Sequence, residues 1–145
     1  MDIQSALREY IKEENFFAPD YDRENEALQK FQSTHTFLSH AETEYLKNIL
    51  EDSDDIYEKI FVADLMYLYN PIPDNLLPAM LRNGIKFEDP SFNRIFLRPC
   101  IKSFGYGKIE KMLDEIEHNG STLEKVGVAR LRYWLRPIEP EIDDG

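Results

Sequence analysis

The chain has little cysteine, no long apolar run and few basic residues near its start. Its single cysteine, Cys100, cannot form an internal disulfide, so nothing in the cysteine content points to secretion. No stretch approaches the ~20 apolar residues that a membrane-spanning helix needs. The first residues, "MDIQSALREYIKEENFF", are acidic and amphipathic, which is unlike a signal or transit peptide. These features predict a cytoplasmic protein without a membrane segment.

Signatures of catalysis and of ligand binding are also missing from the sequence. The six glycines form no phosphate-binding loop, dinucleotide fingerprint or nucleophile elbow. His35, His40 and His118 have no partners at metal-ligand spacing. Paired carboxylates are abundant because the chain is acidic, and none stands out as an acid–base pair. We therefore predict no catalytic residue, no metal site and no cofactor.

The charge is negative and unevenly distributed. The chain has 17 Lys and Arg against 28 Asp and Glu, a net charge of −11. Residues 1–72 hold 6 of the basic and 16 of the acidic residues, so they carry nearly all of the excess. A surface this acidic repels phosphate backbones, which argues against general nucleic-acid binding. The asymmetry fits either simple solubility or a basic protein partner.

The sequence does contain strong helical periodicity. Apolar residues recur at three- and four-residue spacing, and no segment keeps the two-residue alternation of a strand. Ser39–Glu42 and Ser121–Glu124 have the spacing of capping boxes, which mark helix starts. Asn83-Gly84 and Asn119-Gly120 are expected to end helices, and Pro99 is expected to kink one or to leave one of its carbonyls unpaired. The pattern predicts an all-α chain.

Three of the predicted helices share one apolar pattern. Their first aligned positions are 35 and 31 residues apart, and each helix follows another amphipathic helix after a short polar turn. A helix pair that recurs every 30–40 residues is typical of an α-solenoid. The aligned positions are Ile60, Ile95 and Val126; Val62, Leu97 and Val128; Leu65, Cys100 and Leu131; and Tyr69, Phe104 and Leu135.

Each aligned helix also has a basic residue before its first apolar position, namely Lys59, Arg94 and Lys125, and a turn Asp or Asn upstream. Over residues 39–136 this arrangement resembles HEAT repeats. The resemblance implies a short α-α superhelix (HEAT-like solenoid) of about three helix pairs with an N-terminal capping helix. A plain helical bundle is the alternative. We expect one domain over residues 1–136 and an acidic, loosely ordered tail over 137–145.

Two groups of charged residues are candidate binding surfaces. One follows the third predicted helix, where the alternative role is a solvated interhelical turn in which Asp55 caps the next helix. The other forms a basic stripe at i, i+4 and i+8 of a helix, where the alternative is pairing with nearby acids such as Glu88 and Asp89. The acidic candidates are Glu51, Asp52, Asp54, Asp55 and Tyr57, and the basic candidates are Arg94, Arg98 and Lys102.

In size, acidity and helical character the chain resembles bacterial immunity proteins. These proteins neutralise a toxin, often a basic nuclease, by covering its active site or nucleic-acid channel. The resemblance implies a monomeric, non-catalytic inhibitor that binds a basic protein, with no nucleic acid, membrane or cofactor. The alternatives are a HEAT-like scaffold or adaptor in a larger assembly and, less favoured, an enzyme without a recognisable signature. Aromatic residues could anchor such a partner; the candidates are Phe16, Phe17, Tyr21 and Tyr57.

Overall fold

Every regular element in the part of the chain that the structure describes is helical. The computed structural model describes residues 1–12 and 21–135. A 3₁₀ turn, Asp74–Leu76, precedes the fifth of the α-helices. The all-α prediction is confirmed, whereas the predicted tail over 137–145, its boundary at residue 136, and Phe16 and Phe17 lie outside the described residues. The helices are α1 Ile3–Ile11, α2 Tyr21–Thr34, α3 His40–Asp52, α4 Ile56–Met66, α5 Leu77–Lys86, α6 Pro90–Asn119 and α7 Thr122–Leu135.

Both predicted capping boxes begin helices. The Ser39 amide donates to Oε1 of Glu42 at 2.8 Å, and the Glu42 amide donates back to Ser39 Oγ at 3.1 Å. The same reciprocal pair joins Ser121 and Glu124 at 2.8 and 3.2 Å. These bonds satisfy amides that the first turn of a helix leaves without helical partners. The predicted end of α6 at Asn119 is also confirmed.

The predicted helix end at Asn83-Gly84 is wrong, because α5 continues through both residues to Lys86. The two residues serve packing between helices. The buried Asn83 amide donates to the carbonyls of Leu50, on α3, and of Ala79, both at 2.9 Å. A Cβ added to Gly84 would lie 3.2 Å from the Leu131 side chain, so the glycine allows α7 to approach.

The break in α6 occurs at Gly105 and not at Pro99, where the kink was expected. Gly105 has φ 84° and ψ 162°, a backbone conformation that glycine adopts more easily than other residues. Pro99 is buried within the helix. Gly105 therefore divides α6 into an N-terminal arm, residues 90–104, and a C-terminal arm, residues 106–119.

Each of the seven helices in the described residues contributes buried apolar side chains to one continuous core. Helix α3 packs on α4 and α5, while α4 packs on α6. Helix α5 packs on α6 and α7, and those two pack on each other. At the N-terminus, α1 contacts α2 and α4. Among the described helices, none has the length and apolarity to cross a membrane.

The aligned apolar positions are core residues in two of the four sets. Leu65 and Leu131 are 0% exposed and Cys100 is also buried, as are Val62, Leu97 and Val128. The first set was expected to be core, but it is not: Ile60 and Ile95 are half-buried and Val126 is 47% exposed. In α7 the next residue, Gly127, makes the close contact with α5 instead, since its added Cβ would meet the Ile85 carbonyl oxygen at 2.3 Å. In the last set, Tyr69 and Leu135 are buried and Phe104 is half-buried.

Candidate binding surfaces

The acidic candidates form one exposed turn between α3 and α4. We call this surface the acidic turn and define it by Glu51, Asp52, Asp54, Asp55 and Tyr57. Its four carboxylates are exposed, whereas Tyr57 is half-buried. The turn is short because α3 ends at Asp52 and α4 begins at Ile56.

The four carboxylates of the acidic turn have different surroundings. Asp55 caps α4, since its Oδ1 accepts from the Tyr57 amide at 2.9 Å, as expected. Glu51 lies 3.4 Å from the Arg82 guanidinium, in an exposed ion pair of the kind that contributes little to stability. Among the described residues, Asp52 and Asp54 have no hydrogen-bonding or ion-pair partner for their carboxylates. These two are therefore the members best placed to meet another protein.

A lysine lies buried beside this turn. Lys59 is only 4% exposed, and its ammonium group lies 5.9 Å from the centroid of the Phe87 ring. Burial, and then the positive charge of Lys86, lowers the pKa of Lys59, while Asp54 opposes the shift. The sequence placed Lys59 in the aligned basic column but gave no sign that its side chain is buried.

Three acids on the C-terminal arm of α6 are internally compensated, in contrast to Asp52 and Asp54 of the acidic turn. The Arg132 guanidinium reaches three carboxylates, those of Glu110 at 3.9 Å, Asp114 at 2.5 Å and Glu117 at 2.9 Å. The hydrogen bond with Asp114 raises the pKa of Arg132, and Glu117 adds to the effect. Uncompensated negative charge on the described surface is thus concentrated toward the first four helices.

The basic stripe, Arg94, Arg98 and Lys102, lies along the N-terminal arm of α6, and its cations pack on aromatic rings. The Arg94 guanidinium lies 5.0 Å from the Trp134 ring centroid. Arg98 and Lys102 lie 4.9 and 4.3 Å from the Tyr67 centroid. The Lys102 ammonium also donates to the Tyr67 carbonyl at 2.6 Å. Within the described residues none of the three cations forms an ion pair, so pairing with Glu88 or Asp89 is not observed.

The rings that hold the stripe come from the helices on either side. Tyr67 directly follows α4, and Trp134 lies near the end of α7, where its Nε1 donates to Asn93 Oδ1 at 3.0 Å. A shallow hollow of about 310 Å³ adjoins this region. It is lined by Pro90, Ser91, Arg94, Ile95, Arg98 and Trp134. Sequence reasoning missed both aromatic partners; the only signal was that Trp134 is the single tryptophan of the chain.

One half-buried acid of α4, Asp64, interacts electrostatically with Arg98 of the stripe. Asp64 Oδ2 accepts a hydrogen bond from the Tyr10 hydroxyl at 2.5 Å. Burial raises the pKa of Asp64, and the Tyr10 hydrogen bond and the charge of Arg98 oppose that rise. Asp64 therefore links α1, α4 and the basic stripe electrostatically.

The histidines and the cysteine occupy structural positions. His35 stacks on Phe31 with ring centroids 4.1 Å apart, and its Nε2 lies 3.4 Å from a Glu42 oxygen. His40 and His118 are exposed near helix ends. Cys100 is buried, and burial raises the pKa of its thiol to about 12, which leaves it protonated at neutral pH. Over residues 1–12 and 21–135, no group of three or more His, Cys, Asp or Glu side chains is arranged to hold a metal ion.

Comparisons with protein-family models, with curated proteins and with solved structures find no match to this chain. Its function is therefore argued from the surfaces described above.

Proposed function

We propose that this chain is a non-catalytic, monomeric, cytoplasmic protein-binding module that neutralises a basic toxin, such as a nuclease, by direct contact. The acidic turn would provide the contact surface, with Asp52 and Asp54 at its centre. The observation that carries the proposal is the contrast in charge compensation. The exposed carboxylates of Asp52 and Asp54 have no ion-pair partner among the described residues, whereas three acids near α7 converge on Arg132.

Uncompensated charge of this kind favours fast association with a basic partner. Complementary fields steer the encounter of two proteins and raise the association rate, especially at low ionic strength. Lasting affinity then requires apolar contacts, most often from aromatic side chains. Tyr21, at the start of α2, is 68% exposed and is a candidate anchor. Tyr57 is half-buried in α4, beside the acidic turn.

The test begins with recovery of the partner from an extract of the native host, with the tagged chain as bait. The association rate is then measured for the wild type and for a variant with Asp52→Lys and Asp54→Lys. This variant leaves the Asp55 cap and the Glu51–Arg82 pair intact, so its fold should be retained. We expect association with a basic partner to slow by at least about tenfold at low salt, and the difference to shrink at high salt.

A matched control changes net charge equally at another place. Glu88 and Glu115 are exposed on the α5–α6 connection and on the C-terminal arm of α6. Their replacement by Lys should slow association much less. If both double variants behave alike, only net charge matters, and the acidic turn is not the contact surface. If neither variant slows the rate, the proposal fails.

We also propose that the helices from α3 onward form a HEAT-like solenoid of about three pairs: α3 with α4, α5 with the N-terminal arm of α6, and the C-terminal arm with α7. Contacts of α3 with α5 and of α4 with α6 support this arrangement, because stacking of pairs brings their first helices together and their second helices together. In an experimental structure, the transformation that superimposes the first pair on the second should superimpose the second on the third. A plain bundle would not show this relation.

A solenoid also suits the second candidate function, a scaffold or adaptor in a larger assembly. The identity of the recovered partner separates the two functions. A toxin domain whose activity the chain inhibits, encoded immediately beside it, supports the inhibitor. A stable multi-component assembly encoded elsewhere supports the adaptor.

A further inference from the structure

We propose that the basic stripe, together with Tyr67 and Trp134, binds an acidic segment of a protein partner. This surface is separate from the acidic turn and carries the opposite charge. It would therefore engage a second partner, or a second part of the same partner, beyond the contact proposed above.

The first support is that the three cations are already positioned. Arg94 packs on Trp134, and Arg98 and Lys102 pack on Tyr67, at 4.3–5.0 Å from the ring centroids. A guanidinium held against a ring keeps its N–H edge available for hydrogen bonds and loses less conformational freedom when it binds a carboxylate. Tyr67 and Trp134 therefore preorganise the stripe.

The second support is that, within residues 1–12 and 21–135, these cations have no carboxylate partner. No hydrogen bond joins the guanidinium of Arg94 or Arg98 to another described residue, and Lys102 donates only to a backbone carbonyl. The acid whose charge acts on Arg98, Asp64, already accepts a hydrogen bond from Tyr10. By contrast, Arg132 on the neighbouring α7 contacts three acids, so its charge is compensated within the chain.

The spacing of the stripe indicates the form of the ligand. Residues four apart on a helix are separated by about 6 Å along its axis. Alternate residues of an extended chain are separated by about 6.6 Å and point to one side. An extended segment with an acid at every second position thus matches Arg94, Arg98 and Lys102 in turn. The hollow beside Ile95 and Trp134 has room for an apolar side chain.

The charge of the whole molecule favours a protein segment over a nucleic acid. A polyanionic backbone extends well beyond three cations and would meet the field of a chain with a net charge of −11. A short acidic segment places its few charges on the stripe alone.

The experiment uses Trp134, the only tryptophan, as a fluorescent reporter located at the site. A decaglutamate peptide is titrated into the full chain at low ionic strength, with decathymidylate as the nucleic-acid probe. We expect a saturable change with decaglutamate and at least tenfold weaker binding of decathymidylate. Replacing Arg94, Arg98 and Lys102 by Glu should weaken decaglutamate binding at least tenfold.

The matched control replaces three exposed cations away from the stripe, Lys108, Lys111 and Lys125, by Glu. It should bind decaglutamate within about threefold of the wild type. If the triple Glu variant of the stripe unfolds, a variant with Arg94→Gln and Arg98→Gln is used in its place. Tyr67→Leu should weaken binding about two- to fivefold by removing the ring, whereas Tyr106→Leu, also at an exposed tyrosine, should not.

Four results would overturn the proposal. The first is that Trp134 fluorescence shows no saturable response to decaglutamate, and the second is that both triple variants weaken decaglutamate binding equally. The third is that decathymidylate binds as tightly as decaglutamate. The fourth is that the wild type self-associates and the stripe variant does not. The last result would assign the surface to a second copy of this chain. None of these results bears on the acidic turn, because the Asp52→Lys and Asp54→Lys variant tests that contact separately.

Discussion

At the scale of single residues, burial distinguishes side chains that the sequence pattern treats alike. Leu65, Cys100 and Leu131 occupy corresponding positions, and each is 0% exposed. Lys59, Arg94 and Lys125 also correspond, yet Lys59 is buried while the other two are exposed. Helical periodicity identifies the face of a helix, but the neighbouring helices determine how deeply that face is covered.

Three leucines from the two fully buried aligned sets should contribute strongly to stability. Leu65→Ala, Leu97→Ala and Leu131→Ala should each lower the free energy of unfolding by about 2–5 kcal/mol, because each leaves a cavity in a packed core. Chemical denaturation monitored by circular dichroism measures the change. Leu123 is 81% exposed, so Leu123→Ala is the matched control and should cost well under 1 kcal/mol. Equal costs at core and control positions would contradict the assigned packing.

Asp64 should make stability depend on pH. The pKa of Asp64 is higher in the folded chain than in the unfolded chain. Below the unfolded pKa the carboxyl group is protonated in both states and costs no stability. As pH rises through the folded pKa, the group ionises where its charge is disfavoured, and the free energy of unfolding falls. Asp64→Asn removes this ionisation and retains an acceptor for Tyr10. The free energy of unfolding of the variant, relative to wild type, should therefore increase between about pH 4 and pH 7. Denaturation at several pH values tests this. Asp22→Asn, which removes an exposed carboxylate from α2, controls for the loss of one charge.

At the scale of the elements, local hydrogen bonds define where most helices begin, and glycine allows the closest approaches between them. Ser39, Asp55 and Ser121 each accept a hydrogen bond from an amide in the first turn of a helix. Gly127 places the backbone of α7 against α5, and Gly105 interrupts α6. Caps depend on neighbours in sequence, whereas close approaches depend on distant ones.

The two glycines Gly127 and Gly107 should respond oppositely to alanine. At Gly127 the new Cβ would lie 2.3 Å from the Ile85 carbonyl oxygen, so α5 and α7 must separate and stability should fall by about 1–3 kcal/mol. At Gly107 no atom lies within 4 Å of the added Cβ, and alanine should stabilise the helix by about 0.5–1 kcal/mol. Thermal unfolding distinguishes the two. Destabilisation at Gly107 equal to that at Gly127 would contradict the α5–α7 contact.

Asp55 should act on stability through its cap. Asp55→Ala removes the acceptor for the Tyr57 amide and should cost about 1 kcal/mol, while Asp55→Asn should restore most of it. Asp52→Ala removes an exposed carboxylate of the same turn without a cap and should cost less. Equal losses for the two alanine variants would show that the cap contributes nothing measurable.

At the scale of the whole molecule, the uneven charge is the dominant property. Residues 1–72 hold 16 acids and 6 basic residues, and little of that charge is paired within the described part of the chain. Such like charge lowers stability by self-repulsion. The fold tolerates this cost through one continuous apolar core to which every described helix contributes.

Salt should therefore stabilise the protein. Raising NaCl from 0.01 to 0.5 M shortens the screening length from about 30 Å to below 8 Å and should raise the unfolding temperature. The Asp52→Lys and Asp54→Lys variant should show a smaller rise, because it carries less uncompensated charge. Differential scanning calorimetry measures both. A fall in unfolding temperature with salt would mean that attractive pairs, such as those of Arg132, outweigh the repulsion.

The sequence by itself determined the all-α class, both capping boxes, the Asp55 cap and the alternation of buried positions such as Val62 and Leu65. These features depend on interactions within one or two turns of a helix, so nearby residues specify them. The same reasoning located the acidic turn and the basic stripe along the chain, because i, i+4 spacing alone puts Arg94, Arg98 and Lys102 on one side of a helix.

Only the tertiary structure decided what those residues contact. Lys102 and Tyr67 are 35 residues apart, and Trp134 and its hydrogen-bond partner Asn93 are 41 apart, so no local pattern could pair them. The same holds for Gly84, whose role appears only where α7 approaches α5, which is why a helix end was wrongly expected there. Contacts of this kind form when separate helices bury their apolar faces together, and that packing sets which charges are compensated and which remain for a partner.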